Sequence, residues 1–154
     1  MTTLLLFVLA CGGSKTAEPE DALGASKRPH FPFPSMHQMS DGRVALPEDL
    51  PHSRDGTPVP VERTRWRRGF SVVQTAVIDV DMEIDPSSLP AQSAPSTDGA
   101  IQLWDLTAGE PVSCFAELDA AELVDDEWPS ILVRPQDVLT PGHQIAVVMT
   151  TGVQ

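Results

Sequence analysis

The chain has 154 residues and a formal net charge of −12, so its length fits one ordinary domain with tails. Residues 1–70 hold nine Lys/Arg and eight Asp/Glu, whereas residues 71–154 hold one Arg and fourteen acids. A body this acidic repels phosphate backbones and anionic lipid, which argues against nucleic-acid binding. The 15 Pro and 10 Gly predict many turns, short strands and few helices.

The amino terminus reads as an export signal. Residues 4–10 form an apolar run that is too short to span a bilayer, and Cys11 follows directly. The sequence Val8-Leu9-Ala10-Cys11 resembles the lipobox of bacterial lipoproteins, in which the cysteine is lipidated and becomes the first residue. This resemblance implies a membrane anchor at Cys11 and a place on the outer membrane or cell surface. Because Met1-Thr2-Thr3 lacks a basic residue, either the true start lies upstream or the signal is weak.

Residues 1–10 are thus predicted to be a lipoprotein signal peptide, and residues 11–29 a flexible tether. The composition from Ser14 to about Lys27 is that of a solvated linker, for which we expect disorder. If Cys11 carries lipid, Cys114 is left alone and no disulfide forms within the chain. A Cys11–Cys114 bridge is the alternative.

Aromatic residues and prolines mark the beginning of the folded part. Phe31 and Phe33 each precede a proline, which favours extended backbone, and we expect both rings to lie against a sheet. Asp41-Gly42 supplies turn chemistry before a short strand. The segment Pro47–Pro60 should lie at the surface, because its four prolines exclude a central strand.

The stretch Ser71–Leu89 contains the strongest strand signal. In its second half apolar residues alternate strictly with acidic ones, which predicts a half-buried strand. The apolar set, predicted to face the core, is Ile78, Val80, Met82 and Ile84. Apolar residues on both faces of the first half predict that this end is covered on both sides, and the Asp85-Pro86 step should end the strand.

The remainder of the chain reads as short strands joined by turns. The segment 90–99 is a polar loop, and 101–106 is a strand that turns at 107–110 into a second strand over 111–119. Ser130–Pro135 predicts another strand, and Pro141-Gly142 turns the chain into a last one over 143–150. About six or seven strands without intervening helices predict an all-β fold, an antiparallel sandwich over residues 30–154.

Several short motifs, in their order along the chain, carry a resemblance to a known family. They are Phe-Pro-Ser, Asp-Gly-Arg-Val-Ala-Leu-Pro, Gly-Phe-Ser, Ile-Asp-Pro-Ser-Ser-Leu, Ile-Gln-Leu-Trp-Asp-Leu and Val-Leu-Thr-Pro-Gly-His. Together they look like the amino-terminal Ig-like domain of bacterial virulence-factor lipases and related bacterial surface lipoproteins. The resemblance implies an Ig-like sandwich that precedes a separate hydrolase domain. The chain stops at Gln154, where such a module would end.

Two groups of residues are candidates for a metal site. Asp79, Asp81 and Asp85 could bind calcium, but its ligands lie about 2.3–2.6 Å from the ion while alternate strand residues lie roughly 6.6 Å apart. We therefore predict a solvated strand face. The second group has soft ligands that suit Cu(I), although packing methionines and surface histidines are the expected explanation. It comprises His30, Met36, His37 and Met39. No cofactor is predicted.

The sequence shows no catalytic constellation. Cys114 shares an apolar strand face with Val112, Ala116 and Leu118 and is expected to be buried and inert. No Gly-x-Ser-x-Gly elbow is present, and His143 enters a strand rather than a triad.

The arginines around Trp66 are expected to pair with acids of the same fold or to stack on the indole, with a polyanion such as lipopolysaccharide as the alternative partner. Taken together, the sequence predicts a non-enzymatic, lipid-anchored Ig-like module of the bacterial cell envelope. It would serve as a spacer or interaction domain for a hydrolase or another envelope protein. The alternative is a fragment or subunit of a lipase or esterase whose catalytic domain lies elsewhere.

Overall fold

The computed structural model describes the backbone of residues 5–10 and, with side chains, residues 32–46, 56–58, 60–80, 83–119 and 130–153. In these ranges the regular elements are β-strands and three-residue 3₁₀ turns, so the fold is all-β as the sequence predicts. The strands are β1 Leu5–Ala10, β2 Met39–Ser40, β3 Arg43–Val44, β4 Ala76–Asp79, β5 Ile101–Asp105, β6 Glu110–Val112, β7 Cys114–Leu118, β8 Ser130–Pro135 and β9 Gln144–Met149.

Seven of these strands form two antiparallel sheets. One sheet has the order β1-β9-β5-β6 and the other the order β4-β8-β7, while β2 and β3 form a separate hairpin. The strand number agrees with the predicted six or seven, although β1 comes from the segment predicted to be an export signal.

An apolar core lies between the two sheets, because alternate side chains of the strands point inward. The first sheet contributes Ile101, Leu103 and Val147, and the second contributes Ile78 and Ile131. All five are almost fully buried. Burying a side chain of this size stabilises the fold by about 1.5–3 kcal/mol, so this inter-sheet layer supplies much of the driving force for folding.

The prediction for Ser71–Leu89 is right about the core face and wrong about the strand length. Val80 and Ile84 are buried as expected although β4 ends at Asp79, and Met82 lies outside the described residues. The Gln74 N–H donates to the Ser71 carbonyl at 3.0 Å, closing a turn that leaves Val73 61% exposed. The strand cannot extend back into this turn, since the partner strand β8 ends at a proline with no N–H to donate.

The single strand predicted over 111–119 is two strands in the structure. β6 pairs with β5, whereas β7 pairs with β8 in the opposite sheet, and the chain crosses between them at Ser113. The outer edge of β7 is covered by the loop before β5. The Ser96 N–H donates to the Cys114 carbonyl at 2.9 Å, and the Ala116 N–H donates to the Pro90 carbonyl at 2.8 Å. This covered edge leaves fewer backbone groups open to pairing with another chain.

The predicted turns are present where the structure describes them, and the backbone of Phe33 pairs with strand β4. Asp41 and Gly42 both have positive φ, 50° and 70°, the geometry of a tight hairpin between β2 and β3. Phe33 exchanges two backbone hydrogen bonds with Val77 in β4, and its ring meets that of Phe70 edge-on at 5.7 Å. Phe31 lies outside the described residues.

Strand β1 occupies the edge of the first sheet. It runs antiparallel to β9, with Leu5 opposite Met149 and Ala10 opposite Gln144. On the other side of β9, the Leu106 N–H donates to the Gln144 carbonyl and the Thr150 N–H donates to the Ala100 carbonyl. Even-numbered residues of β9 therefore bond to β5, and odd-numbered ones direct their N–H groups towards β1. Cys11 and the predicted tether lie outside the described residues.

Candidate functional site

The carboxylates predicted as possible calcium ligands serve local structure instead. Asp79 accepts a hydrogen bond from the hydroxyl of Ser130, the residue opposite it on β8. Asp85 caps a 3₁₀ turn, and its Oδ1 accepts from the Ser87 N–H at 2.8 Å. The hydrogen bonds from Ser87 lower the pKa of Asp85. Asp81 lies outside the described residues.

The candidate copper ligands occupy a short turn and the strand after it. Met36 and His37 belong to the 3₁₀ turn Met36–Gln38, and Met39 begins β2. His37 is exposed and both methionines are partly buried, while His30 lies outside the described residues. Across the part of the chain that the structure describes, no three His, Cys, Asp or Glu side chains group closely enough to hold a metal ion.

Cys114 is a fully buried free thiol, as the sequence predicts. Desolvation raises its pKa, and a hydrogen bond from the Leu103 backbone offsets only part of that effect. Its Sγ lies 3.8 Å from the Ile101 carbonyl oxygen. Because the thiolate is the reactive form, a buried thiol with a raised pKa is a poor nucleophile.

A buried carboxylate at the end of β5 forms a connected polar cluster. Asp105 is 7% exposed, and its Oδ1 accepts from the Thr107 and Ala108 N–H groups at 3.0 and 2.9 Å. Its Oδ2 lies 2.7 Å from Nδ1 of His143, the residue directly before β9. Burial acts to raise the pKa of Asp105, but the hydrogen bonds from Ala108, His143 and Thr107 and the charge of His143 outweigh it, so the pKa is lowered.

The Asp105–His143 pair has the base-and-orienter arrangement found in nucleophilic hydrolases. The third member is missing in the described part of the chain, where no serine or cysteine hydroxyl or thiol hydrogen-bonds to the His143 ring. The Thr107 hydroxyl accepts instead from the Gln144 N–H at 2.9 Å. The cluster therefore joins the β5–β6 turn to the start of β9 and has no nucleophile of its own among these residues.

Sequence reasoning missed this cluster, although half of it was visible. The alternation that buries Ile101 and Leu103 also directs Asp105 inward, and an inward Asp followed two and three residues later by free backbone N–H groups is typical of an Asx turn. His143 lies 38 positions further along the chain. No local signal reveals such a contact.

The arginines predicted around Trp66 are Arg63, Arg65, Arg67 and Arg68, and all four are exposed; Arg65 already has an interaction partner. We call the exposed turn formed by the other three and the indole the Arg–Trp surface: Arg63, Trp66, Arg67 and Arg68. Trp66 is 68% exposed, and the Arg67 guanidinium lies 5.7 Å from its ring centroid, in agreement with the predicted stacking. Arg43 donates to the Trp66 carbonyl at 3.2 Å, and the Val44 N–H donates to the Arg67 carbonyl at 2.9 Å. These bonds fix the turn to the β2–β3 hairpin.

A small apolar cavity of about 30 Å³ lies between the sheets, bordered by Phe70, Ala76, Leu103, Leu139 and Ile145 among others. Sites for small-molecule ligands are roughly 300–1,000 Å³. This cavity is partly open to solvent and has room for a group about the size of a methyl or a water molecule, which is too small for a substrate.

No family model, curated protein or solved structure matches this chain. The resemblance to the amino-terminal domain of bacterial lipases therefore stays a prediction from the motifs, and the fold stands on the strand arrangement alone. In the ranges that the structure describes, no helix has the length and apolar character needed to cross a membrane.

Proposed function

We propose that this chain is a non-catalytic, lipid-anchored Ig-like module of the bacterial cell envelope, acting as a spacer or interaction domain. The sequence Val8-Leu9-Ala10-Cys11 carries the proposal, since it places a cysteine directly after an apolar run that ends in a small residue. The other cysteine, Cys114, follows Pro111-Val112-Ser113 and has no such apolar run before it. A two-sheet sandwich with one closed core supports the spacer role.

Fatty-acid labelling tests the anchor. The chain, with a carboxy-terminal tag, is expressed in a Gram-negative host supplied with a labelled fatty acid. We expect the label on the chain and a mature amino terminus at Cys11. Cys11→Ala should abolish labelling, whereas Cys114→Ala, the matched control at the other cysteine, should retain it. An unlabelled wild-type chain, or a label that persists in Cys11→Ala, would contradict the proposal.

A subunit of a lipase or esterase is the second candidate, and the Asp105–His143 pair is the observation that favours it. In that role the imidazole would act as base for a serine supplied by a partner chain. Hydrolysis of short-chain and long-chain aryl esters by the isolated chain should stay at the background rate under the leading proposal. Turnover that disappears in His143→Gln but not in His37→Gln would reject the non-catalytic role.

A further inference from the structure

The Arg–Trp surface concentrates exposed cations at one place on a strongly acidic protein. Arg63, Arg67 and Arg68 are exposed, and in the described residues no carboxylate forms an ion pair with any of them. The basic residue of the 71–154 half, Arg134, is by contrast ion-paired with Glu117 at 2.9 Å. The three guanidinium groups are therefore available to an external anion.

The aromatic residue at this surface is largely exposed to solvent. Trp66 is 68% exposed. Its backbone is nevertheless held in place, because Arg43 donates to its carbonyl and the Val44 N–H in β3 donates to the neighbouring Arg67 carbonyl. An exposed indole next to cations suits the boundary between lipid headgroups and acyl chains, since the ring is amphipathic and guanidinium groups bind phosphate bidentately. The next turn exposes a second apolar side chain, Val73, at 61%.

We propose that the Arg–Trp surface binds anionic phospholipid headgroups, with Arg63, Arg67 and Arg68 on the phosphates and Trp66 in the interface. A flat membrane can meet this one turn, and the Debye length of about 10 Å at 0.1 M salt screens the acids that lie further than that from it. A nucleic acid that bends over the protein would meet those acids. The binding belongs to the folded domain and does not require lipid at Cys11.

Vesicle co-sedimentation of the full chain carrying Cys11→Ser tests this surface apart from the anchor. We expect binding to vesicles that contain phosphatidylglycerol, little binding to pure phosphatidylcholine, and weakening as salt is raised. Each arginine near an anionic surface is worth about fivefold in affinity, so the triple change Arg63→Gln, Arg67→Gln, Arg68→Gln should weaken binding by about 100-fold. Trp66→Ala should weaken binding to the same vesicles and leave the salt dependence of that binding unchanged.

Single substitutions give a matched control. Arg67→Gln and Arg134→Gln change the net charge equally, but only the first should lower vesicle affinity, by about fivefold. Circular dichroism confirms that each variant keeps its sheet content. Equal binding to both vesicle types, wild-type binding by the triple variant, or tighter binding to duplex DNA than to the anionic vesicles would overturn the proposal. None of these outcomes bears on labelling at Cys11, so the two proposals fail separately.

Discussion

The buried carboxylate of Asp105 offers the sharpest test of the structure. Asp105→Asn keeps an oxygen that can accept from the Thr107 and Ala108 N–H groups, but it removes the negative charge that faces His143 at 2.7 Å. Hydrogen bonds to charged groups contribute about 1.5–3 kcal/mol, against about 0.5–1.5 kcal/mol for neutral ones. The substitution should therefore lower the free energy of unfolding at pH 7 by about 1–2 kcal/mol.

The pH dependence of this loss follows from the direction of the pKa shift. The folded-state pKa of Asp105 lies below its ordinary value of 3.8, so its charge stabilises the fold fully above that ordinary value. The contribution is lost as the pH falls through the lowered pKa, because the folded protein must then take up the proton. Wild type and Asp105→Asn should thus differ in stability at pH 7 and at pH 5, and converge as the pH falls below the ordinary carboxyl range.

Urea unfolding, followed by far-ultraviolet circular dichroism at a series of pH values, measures the difference. Asp137→Asn makes the same chemical change at an exposed aspartate and is the control. It should leave the free energy of unfolding within about 0.5 kcal/mol of wild type. A stability difference for Asp105→Asn that is absent at pH 7, or that stays constant down to the acid limb, would refute the role assigned to this charge.

Three further predictions use other parts of the fold. Val80→Lys puts an unpaired charge in the core and should lower the free energy of unfolding, measured by heat or urea, by about 4 kcal/mol or more. Val73→Lys in the exposed turn should lower it by about 0.5 kcal/mol or less. Similar losses for the two variants would contradict the assignment of Val80 to the core and Val73 to the surface. In the folded chain Cys114 should react with a thiol reagent far more slowly than in denaturant, and equal rates would contradict its burial. Deleting residues 1–10 should speed amide hydrogen exchange at Val147, whose N–H faces β1, but not at Val148, whose N–H faces β5; equal changes would contradict the pairing.

The strands that were predictable are those whose ends are marked by proline or glycine in the sequence. β8 and β9 were located within a residue because Pro135, Pro141 and Gly142 mark their ends in the sequence. The strand before Asp85 was predicted too long, since alternation shows which face is apolar but not where a partner strand runs out. Val80 and Ile84 keep their core positions without a ladder, so burial alone sustains the pattern there.

The contacts that could not be predicted join residues far apart in the chain. The crossing at Ser113 depends on where β8 lies, which no feature of the segment 111–119 reveals. The same holds for the partner of Asp105. Its inward direction follows from the period of β5, but the choice of His143 is made by the pairing of β5 with β9. Local patterns therefore give faces and turns, and the assembly of the sheets gives the polar cluster.

The segment Leu5–Ala10 suits two environments for one physical reason. A signal segment must be apolar to enter the export machinery. The strand beside β9 must suit a neighbour that is buried on both faces, since Ala146, Val147 and Val148 are all buried. Cleavage after Ala10 and pairing of β1 compete for the same residues, because Ala10 sits in the ladder opposite Gln144. A protease that needs an extended, unpaired substrate can reach this bond only before the sandwich closes on it. If Cys11 is lipidated as we propose, export must therefore precede folding, and in a chain that folds first residues 5–10 stay paired with β9 as the edge strand.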